Sequence, residues 1–497
     1  MKEVINKLAD TKISTSYLFI LLGVCALMMT GYFSYAWFTV QGVQQYSVVT
    51  GNLSGSITIG ANSVAIEGAG TISYTPATDS ETVTITVTNS SDRTVKNSIY
   101  YYTLSDSSIG IGYTSDSPTI PTVEGVSVEK GKTLTYKIKI NGSKGKAIKI
   151  GSSMGLNNSN LTLPNGTTAF SLLSDPSAAE TLIAKANPET LDYNTATTDQ
   201  KNQMWTFTHE ATEQLKATTD YRYIGANPNN YVKFNDELWR IIGVFDVDDG
   251  TGKIEKRLKI IRNESIGNYS WDNKDTSTGA ENSYGKNNWT DARLNYLLNE
   301  GHDSETYGGS LYWNRRSGTC YYGQNNATTS CDFTATGLTD SAKKMIGDAK
   351  WYLGGSSTYN DVTAPMFYTR ERGTTVYSGR STSWIGKVGL MYPSDYGYAT
   401  SGNSSTSRST CLAKEMYNWD GLSVCYQNDW LFKSSYMWTL SLRSSSSGSV
   451  FNVSNGGFVS YYYAYNGNYG VWPVVHLKST IKVITGTGSS NDPFILE

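Results

Sequence analysis

The chain has almost no net charge. Its 41 Lys and Arg residues face 43 Asp and Glu, a formal charge of -2, and only 17% of residues are charged. Nothing in that balance builds a basic field for a polynucleotide, so nucleic acid is not an expected partner. Histidine is scarce: His209, His302 and His476 are the only three in 497 residues. None stands beside a cysteine pair, and neither CxxC spacing nor His-Glu-x-x-His occurs, so we expect no zinc site. A Gly-x-Ser-x-Gly elbow and a phosphate-cradling loop are also missing. We therefore expect no metal, no cofactor and no catalysis, leaving an enzyme of a type without a recognised signature as the last reading. No Leu-Pro-x-Thr-Gly signal or prepilin peptidase motif supports attachment to a cell wall.

Cysteine numbers only five. Cys25 lies in an apolar run, and the other four fall late as close pairs, Cys320 with Cys331 and Cys411 with Cys425. Four cysteines allow three pairings. The two local ones are expected, each worth about 3 kcal/mol in the chain-entropy picture of loop closure. No cysteine occurs in residues 45–163, so that segment must be held by packing.

What the chain does have begins with an apolar run over residues 13–38, preceded by Lys2, Lys7 and Lys12. About 20 apolar residues cross a bilayer as a helix, and residues 17–38 meet that length. The lysines hold the N-terminus in the cytoplasm, so everything after Val40 is delivered outside. Tyr32, Phe33, Tyr35, Trp37 and Phe38 suit the outer interface. Ser34-Tyr35-Ala36 also places small residues before a cleavage point between Ala36 and Trp37. Two fates stay open: a single-pass membrane protein with an extracellular C-terminus, or a secreted protein freed by cleavage.

A chain of 497 residues exceeds what one core supports, so a multidomain protein is expected. Residues 1–44 form the cytoplasmic tail and anchor or signal. Residues 45–163 read as an all-β sandwich: Val83, Ile85 and Val87 alternate with threonines, and Tyr136, Ile138 and Ile140 with Thr135, Lys137 and Lys139. Residues 164–218 read as a helical connector, with one short helix opened by Asp175-Pro176-Ser177 and running through Ala186, and a second over 198–216 carrying Met204, Phe207, Ala211 and Leu215 on one face. Residues 219–497 read as an α+β, disulfide-containing surface domain. Its strands lie over 231–234, 238–245, 258–262, 437–442, 450–453, 458–463 and 471–477. Its helices include one capped by Thr290 that carries Leu294, Leu297 and Leu298, and another over 338–346.

The run Gly31-Tyr32-Phe33-Ser34-Tyr35-Ala36-Trp37-Phe38-Thr39, with Gly51-Asn52-Leu53-Ser54-Gly55-Ser56 and the strand pair around 83–89 and 98–104, resembles the TasA/camelysin family of Gram-positive secreted proteins. The resemblance covers residues 20–160. It implies a jelly-roll sandwich, with an Ig-like one as the alternative, that assembles into cell-surface or biofilm-matrix fibres. The long C-terminal region departs from that family and puts fibre formation in doubt. A second set of residues runs through Asn227-Pro228-Asn229-Asn230-Tyr231-Val232-Lys233-Phe234 and Leu238-Trp239-Arg240-Ile241-Ile242-Gly243. It continues with Trp289, Trp438-Thr439-Leu440-Ser441-Leu442-Arg443 and Gly470-Val471-Trp472-Pro473-Val474-Val475. This set resembles a domain of unknown function in exported proteins of gut Gram-positive bacteria. Its ending is distantly similar to formylglycine-generating-enzyme and C-type-lectin-like folds, which implies a lectin-like architecture and says little about activity.

A lectin-like calcium site would need about six oxygens. Neither Glu-Pro-Asn nor Gln-Pro-Asp is present, and Asn418-Trp419-Asp420 has the order of Trp-Asn-Asp scrambled. Asp246, Asp248 and Asp249 have the density of a calcium loop, but Arg257 stands where its closing Glu belongs; a hairpin turn is expected. Cys411 and Cys425 lack the context of reactive cysteines and are expected to act as a staple. His476, in an apolar strand, is expected to be a satisfied structural histidine. The aromatic residues Tyr461-Tyr462-Tyr463-Ala464-Tyr465, Tyr469 and Trp472 are too many to bury from one strand. Exposed rings bind sugar faces or partner proteins, so Tyr461, Tyr463, Tyr465 and Trp472 are the candidate ligand-binding residues. A tyrosine-lined surface without a ligand is the plainer alternative. The expected function is adhesion or matrix assembly, by self-association or contact with other surface proteins; a surface-displayed glycan-binding module is the second reading.

Overall fold

The structure, a computed structural model, describes residues 53–497 apart from 79, 105–108, 174–175, 213–215 and 275–283. The apolar leader, Cys25 and the Ala36–Trp37 cleavage point lie outside the described residues. Among the described residues, no helix is long and apolar enough to cross a membrane. Strand exceeds helix, 37% against 13%, as a chain rich in Tyr and Thr favours. The chain divides into two compact units, one ending at Ser174 and the other spanning Asp175–Glu497.

The first unit is built from β1 (Ser54–Ile59), β2 (Asn62–Glu67), β3 (Ala69–Tyr74), β4 (Ser80–Asn89), β5 (Val95–Tyr102), β6 (Gly110–Tyr113), β7 (Val126–Val128), β8 (Thr133–Asn141), β9 (Ile148–Leu156) and β10 (Thr167–Ala169). They form one sheet in the order β10-β5-β9-β3-β2-β1-β4-β8-β6, with β7 also on β5. Tyr113 N donates to Ser171 O at 2.9 Å and Leu173 N to Tyr113 O at 2.9 Å. The segment after β10 thus reaches β6, at the opposite end of the sheet. A sheet joined in this way wraps a single core, which collects Ile57, Ile85, Val87, Ile99, Ile138, Ile140 and Ile150 among others. The alternation does this: Val83, Ile85 and Val87 are buried while Thr84 and Thr86 between them are not.

The second unit opens with α1 (Ala178–Ile183), capped by Ser177 in a capping box with Glu180, and α2 (Thr198–Lys201). Its main sheet uses β11 (Trp205–His209), β12 (Thr218–Arg222), β13 (Tyr231–Phe234), β14 (Glu237–Asp248) and β15 (Ile254–Arg262). Next come α3 (Arg293–Leu298), the hairpin β16 (Ser317–Tyr321) with β17 (Thr328–Asp332), and α4 (Asp340–Met345). β18 (Ala349–Tyr352) pairs β19 (Ser383–Gly386), with α5 (Ala364–Arg372) between them. β20 (Val388–Gly389), α6 (Pro393–Ala399), α7 (Arg408–Ala413) and α8 (Ser423–Gln427) precede a three-stranded sheet of β21 (Met437–Leu442), β22 (Ser449–Val453) and β23 (Val459–Tyr463). β24 (Val474–His476), β25 (Val483–Thr485) and β26 (Phe494–Leu496) complete the main sheet, ordered β20-β24-β15-β14-β13-β26-β25 with β12 on β14 and β11 on β12.

Long loops cover these sheets, and tryptophans bury them. Trp271 Nε1 donates to Thr439 O at 3.1 Å and Trp438 Nε1 to Tyr269 O at 2.9 Å. Each indole thus joins a loop to a strand while burying its large apolar body. Cys320 is bonded to Cys331 across the β16–β17 hairpin, and Cys411 to Cys425 between α7 and α8. The local pairings are the ones formed.

Three expectations need correction. The 164–218 connector is divided: β10 pairs with β5 in the first unit, and Asp175 onward belongs to the second. Its second helix stops at Lys201, and Trp205–His209 is a strand, because Trp205 and Phe207 point into a core while Thr206 and Thr208 do not. Thr290 does not cap α3; it lies in a 3-10 turn, Trp289–Asp291. The leading amide of that helix, Arg293 N, is taken instead by Asp272 Oδ1 at 3.2 Å.

Candidate functional site

Two places on the second unit have the geometry to bind something. The first is aromatic. Tyr463, at the end of β23, stacks on Tyr284 with ring centres 4.1 Å apart and planes 15° from parallel. Tyr465 lies nearly parallel to Tyr463 at 6.1 Å and 13°. Tyr284 and Tyr463 are each 38% exposed and Tyr462 is 42% exposed, so the group forms a plate open to solvent. Tyr284 reaches it through a tight turn. Gly285 sits at φ +79, and a Cβ there would fall 2.1 Å from Asp272 O, so glycine is required. Asp272 also accepts from Lys286 N at 2.7 Å, fixing the chain next to Tyr284. Burial raises its carboxyl to about 6.

Of the four residues picked out in the sequence, Tyr463 and Tyr465 belong to this plate. Tyr461 faces elsewhere: Arg443 lies 4.0 Å over its ring and Tyr359 packs edge-on at 4.8 Å. Trp472 is buried, 8% exposed, against the backbone of Gly470, and has no face to offer a ligand. Tyr284, nearly 180 positions from Tyr463, was not foreseen, and only the fold brings the two together.

The second place is a cavity of about 690 Å³ lined by the β11–β12 hairpin, β14 and α5. On the hairpin His209 pairs with Thr218 and Phe207 with Asp220, so His209 and Asp220 are diagonal neighbours on one face. Asp220 Oδ2 accepts from His209 Nε2 at 3.0 Å and from Arg222 Nη2 at 2.8 Å. Burial opposes the Asp220 charge, but Arg222 and the His209 bond hold its carboxyl far below the usual carboxylate range. Arg222, Gly243 and Lys259 then stand in one row across β12, β14 and β15. Gly243 is required there, since a Cβ would lie 2.1 Å from Tyr221 O. Asp395, from α6, accepts from Arg222 Nη1 at 3.1 Å and bonds Lys259 Nζ with its other oxygen.

This alternating row of charges lies under a sandwich of rings. Tyr368 on α5 stacks against His209, centres 3.7 Å apart and planes 7° from parallel. Arg372, one turn further on, folds back with its Cζ 3.5 Å from the Tyr368 centre. Groups at those two distances cannot share a face, so Tyr368 is held between imidazole and guanidinium. Arg372 Nη1 donates to Tyr368 O at 3.1 Å and lies 3.4 Å from Glu371 Oε2. Glu371 is buried, and its carboxylate also accepts from Ser394 N at 2.9 Å and from Ser394 Oγ. Burial pushes its carboxyl up to about 7.

Other candidates are accounted for locally. Asp248 Oδ1 accepts from Gly250 N and Gly252 N at 2.9 and 3.0 Å, and Asp249 Oδ1 from Thr251 N at 2.8 Å, a self-satisfied turn between β14 and β15. Trp419 is fully buried. Among the described residues no group of three or more His, Cys, Asp or Glu is placed to hold a metal ion. His302 stacks on Tyr296 at 4.0 Å. His476 departs from expectation: its Nδ1 is buried without a partner. Burial first, and Lys259 next, hold it well below the usual range, so it is a neutral ring packed on Trp351.

Compared with models of protein families, with curated proteins and with solved structures, the chain finds no match in any of the three.

Proposed function

We propose that this is an exported, surface-displayed protein that works by contact rather than by catalysis, with its second unit presenting a tyrosine plate to partner proteins at the cell surface or in a secreted matrix. The observation that carries the reading is the plate itself: Tyr284, Tyr463 and Tyr465 in near-parallel array, two of them 38% exposed. Rings that could have been buried are left in water, which marks contact surfaces. Two disulfides support an oxidising compartment, and the lysine-flanked apolar leader supports export, as an anchored or a cleaved chain.

The finer architecture belongs to the same proposal: a jelly-roll or Ig-like sandwich first and a C-type-lectin-like unit second, in line with the two family resemblances. Association through sheet edges receives less support. The end strands β6, β7 and β10 are three or four residues long, and short edges template outside strands poorly.

A second reading, a glycan-binding module, rests on the same flat plate, which suits one face of a sugar ring. Glycan arrays and sedimentation of the disulfide-intact protein separate the two. Replacing Tyr463 and Tyr465 by alanine should weaken whichever contact is found by roughly tenfold or more, the usual worth of an aromatic anchor, without shifting the thermal transition. Binding indifferent to both replacements would remove the plate from the account.

A further inference from the structure

The cavity beside α5 carries an inference independent of the tyrosine plate. Its charged groups are not equivalent. Asp220 is committed to His209 and Arg222, and Asp246 to Lys256 at 2.9 Å. Glu210 and Lys216, one of each sign, stand exposed at the rim. Arg372 is different. Among the described residues its one carboxylate contact is Glu371 at 3.4 Å, and its side chain, 13% exposed, reaches the cavity. Glu371 Oε2 is shared between Arg372 and Ser394 Oγ, and the Asp220 carboxylate adds attraction at longer range. Beside Arg372 the wall is aromatic: Tyr352 is half-buried, and Phe245, Tyr368 and Tyr398 are buried and contribute edges. His209 has given Nε2 to Asp220, so only Nδ1 is left to meet an occupant.

We propose that this cavity binds a small organic carboxylate with a flat apolar body, its carboxylate on the Arg372 guanidinium and its body against the half-buried ring of Tyr352 and the edges that Phe245 and Tyr398 leave in the cavity wall. The guanidinium is pre-oriented by stacking on Tyr368, so little side-chain freedom is lost on binding, and its planar donors match a carboxylate better than an ammonium would. A cationic ligand would face Arg372, and among the described lining residues Asp220 and Asp246 are committed to cations while Glu210 stands at the rim. A bare inorganic anion would leave the aromatic walls unused.

Calorimetric titration of the full, disulfide-intact chain with benzoate, phenylacetate, inorganic phosphate and benzylamine tests this. Benzoate or phenylacetate should bind, and tighter than either of the other two. Arg372→Gln should weaken that binding at least tenfold. Thr369→Trp, which fills the cavity from its α5 wall without touching the buried charges, should do the same and guards against a folding defect in the first variant. Preference for benzylamine, equal affinity for phosphate, absence of binding to both carboxylates, or binding unchanged in Thr369→Trp would each overturn the proposal.

Discussion

Glu371 and Asp220 lie within one buried cluster and respond to pH in opposite senses. Glu371 is raised to about 7 by burial, so the folded protein holds its proton more tightly than the unfolded chain does. Stability from this group is present below the ordinary carboxylate value and is lost as pH rises toward 7, at up to about 1.4 kcal/mol per pH unit. Asp220 and Asp395 are lowered: burial works against their charge, but Arg222 outweighs it at Asp220, and Lys259 and Arg222 at Asp395. Their contribution is present above the ordinary carboxylate range and disappears on acidification through it. Denaturant melts from pH 2 to 8 should therefore show stability declining between about pH 5 and 7 and again below about pH 4, and Glu371→Gln should flatten the first decline while leaving the acid limb intact. A decline that persists unchanged in the variant would place its origin elsewhere, Asp272 and Asp429, both raised by burial, being the next groups to replace.

Among the elements, the turn at Gly285 is the most exacting. It is left-handed, at φ +79, and pressed against Asp272 O. Gly285→Ala should cost about 1–3 kcal/mol, read as a lower denaturation midpoint. It should also weaken plate-dependent binding, because Tyr284 is the residue it displaces. Wild-type stability in that variant would mean that the turn relaxes freely. This element was not legible in the chain, since nothing local to Tyr284 says that Tyr463 will be its neighbour. Where local pattern and burial agree, the elements could be read: the alternation in β4 and β8, the β14–β15 hairpin with its acidic turn, and the helix that starts after Ser177. Where two patterns overlap, tertiary pairing decides between them. Met204, Phe207, Ala211 and Leu215 have helical spacing, yet Trp205, Phe207 and His209 also alternate with Thr206 and Thr208. Pairing with β12 satisfies that strand's backbone and seats His209 on Asp220. Misreading this segment as a connector hid the cavity, since two of its walls come from the hairpin that follows. Trp472 was misplaced for a different reason: composition says that some rings must be exposed, but not which, and the backbone at Gly470 is open enough to take in the indole.

At the scale of the whole molecule the two units rest on different means of support. The core of the first is mostly aliphatic, wrapped by one sheet, and its described residues include no cysteine. The second spreads its core under long loops and holds them with buried tryptophans and two disulfides, Cys320–Cys331 and Cys411–Cys425. The loops closed by these bridges span 11 and 14 residues, for which loop closure predicts about 3 kcal/mol each. A reductant should therefore act on one unit only. Scanning calorimetry of the disulfide-intact chain should resolve two transitions, and reduction should lower that of the second unit by roughly 10 °C, the shift expected when about 6 kcal/mol is removed from a unit of this size. The transition of the first unit should not move, because its stability is a matter of packing alone. A single transition that shifts as one body on reduction would show that the two cores melt cooperatively, and the separate accounts of their stability would then have to be merged.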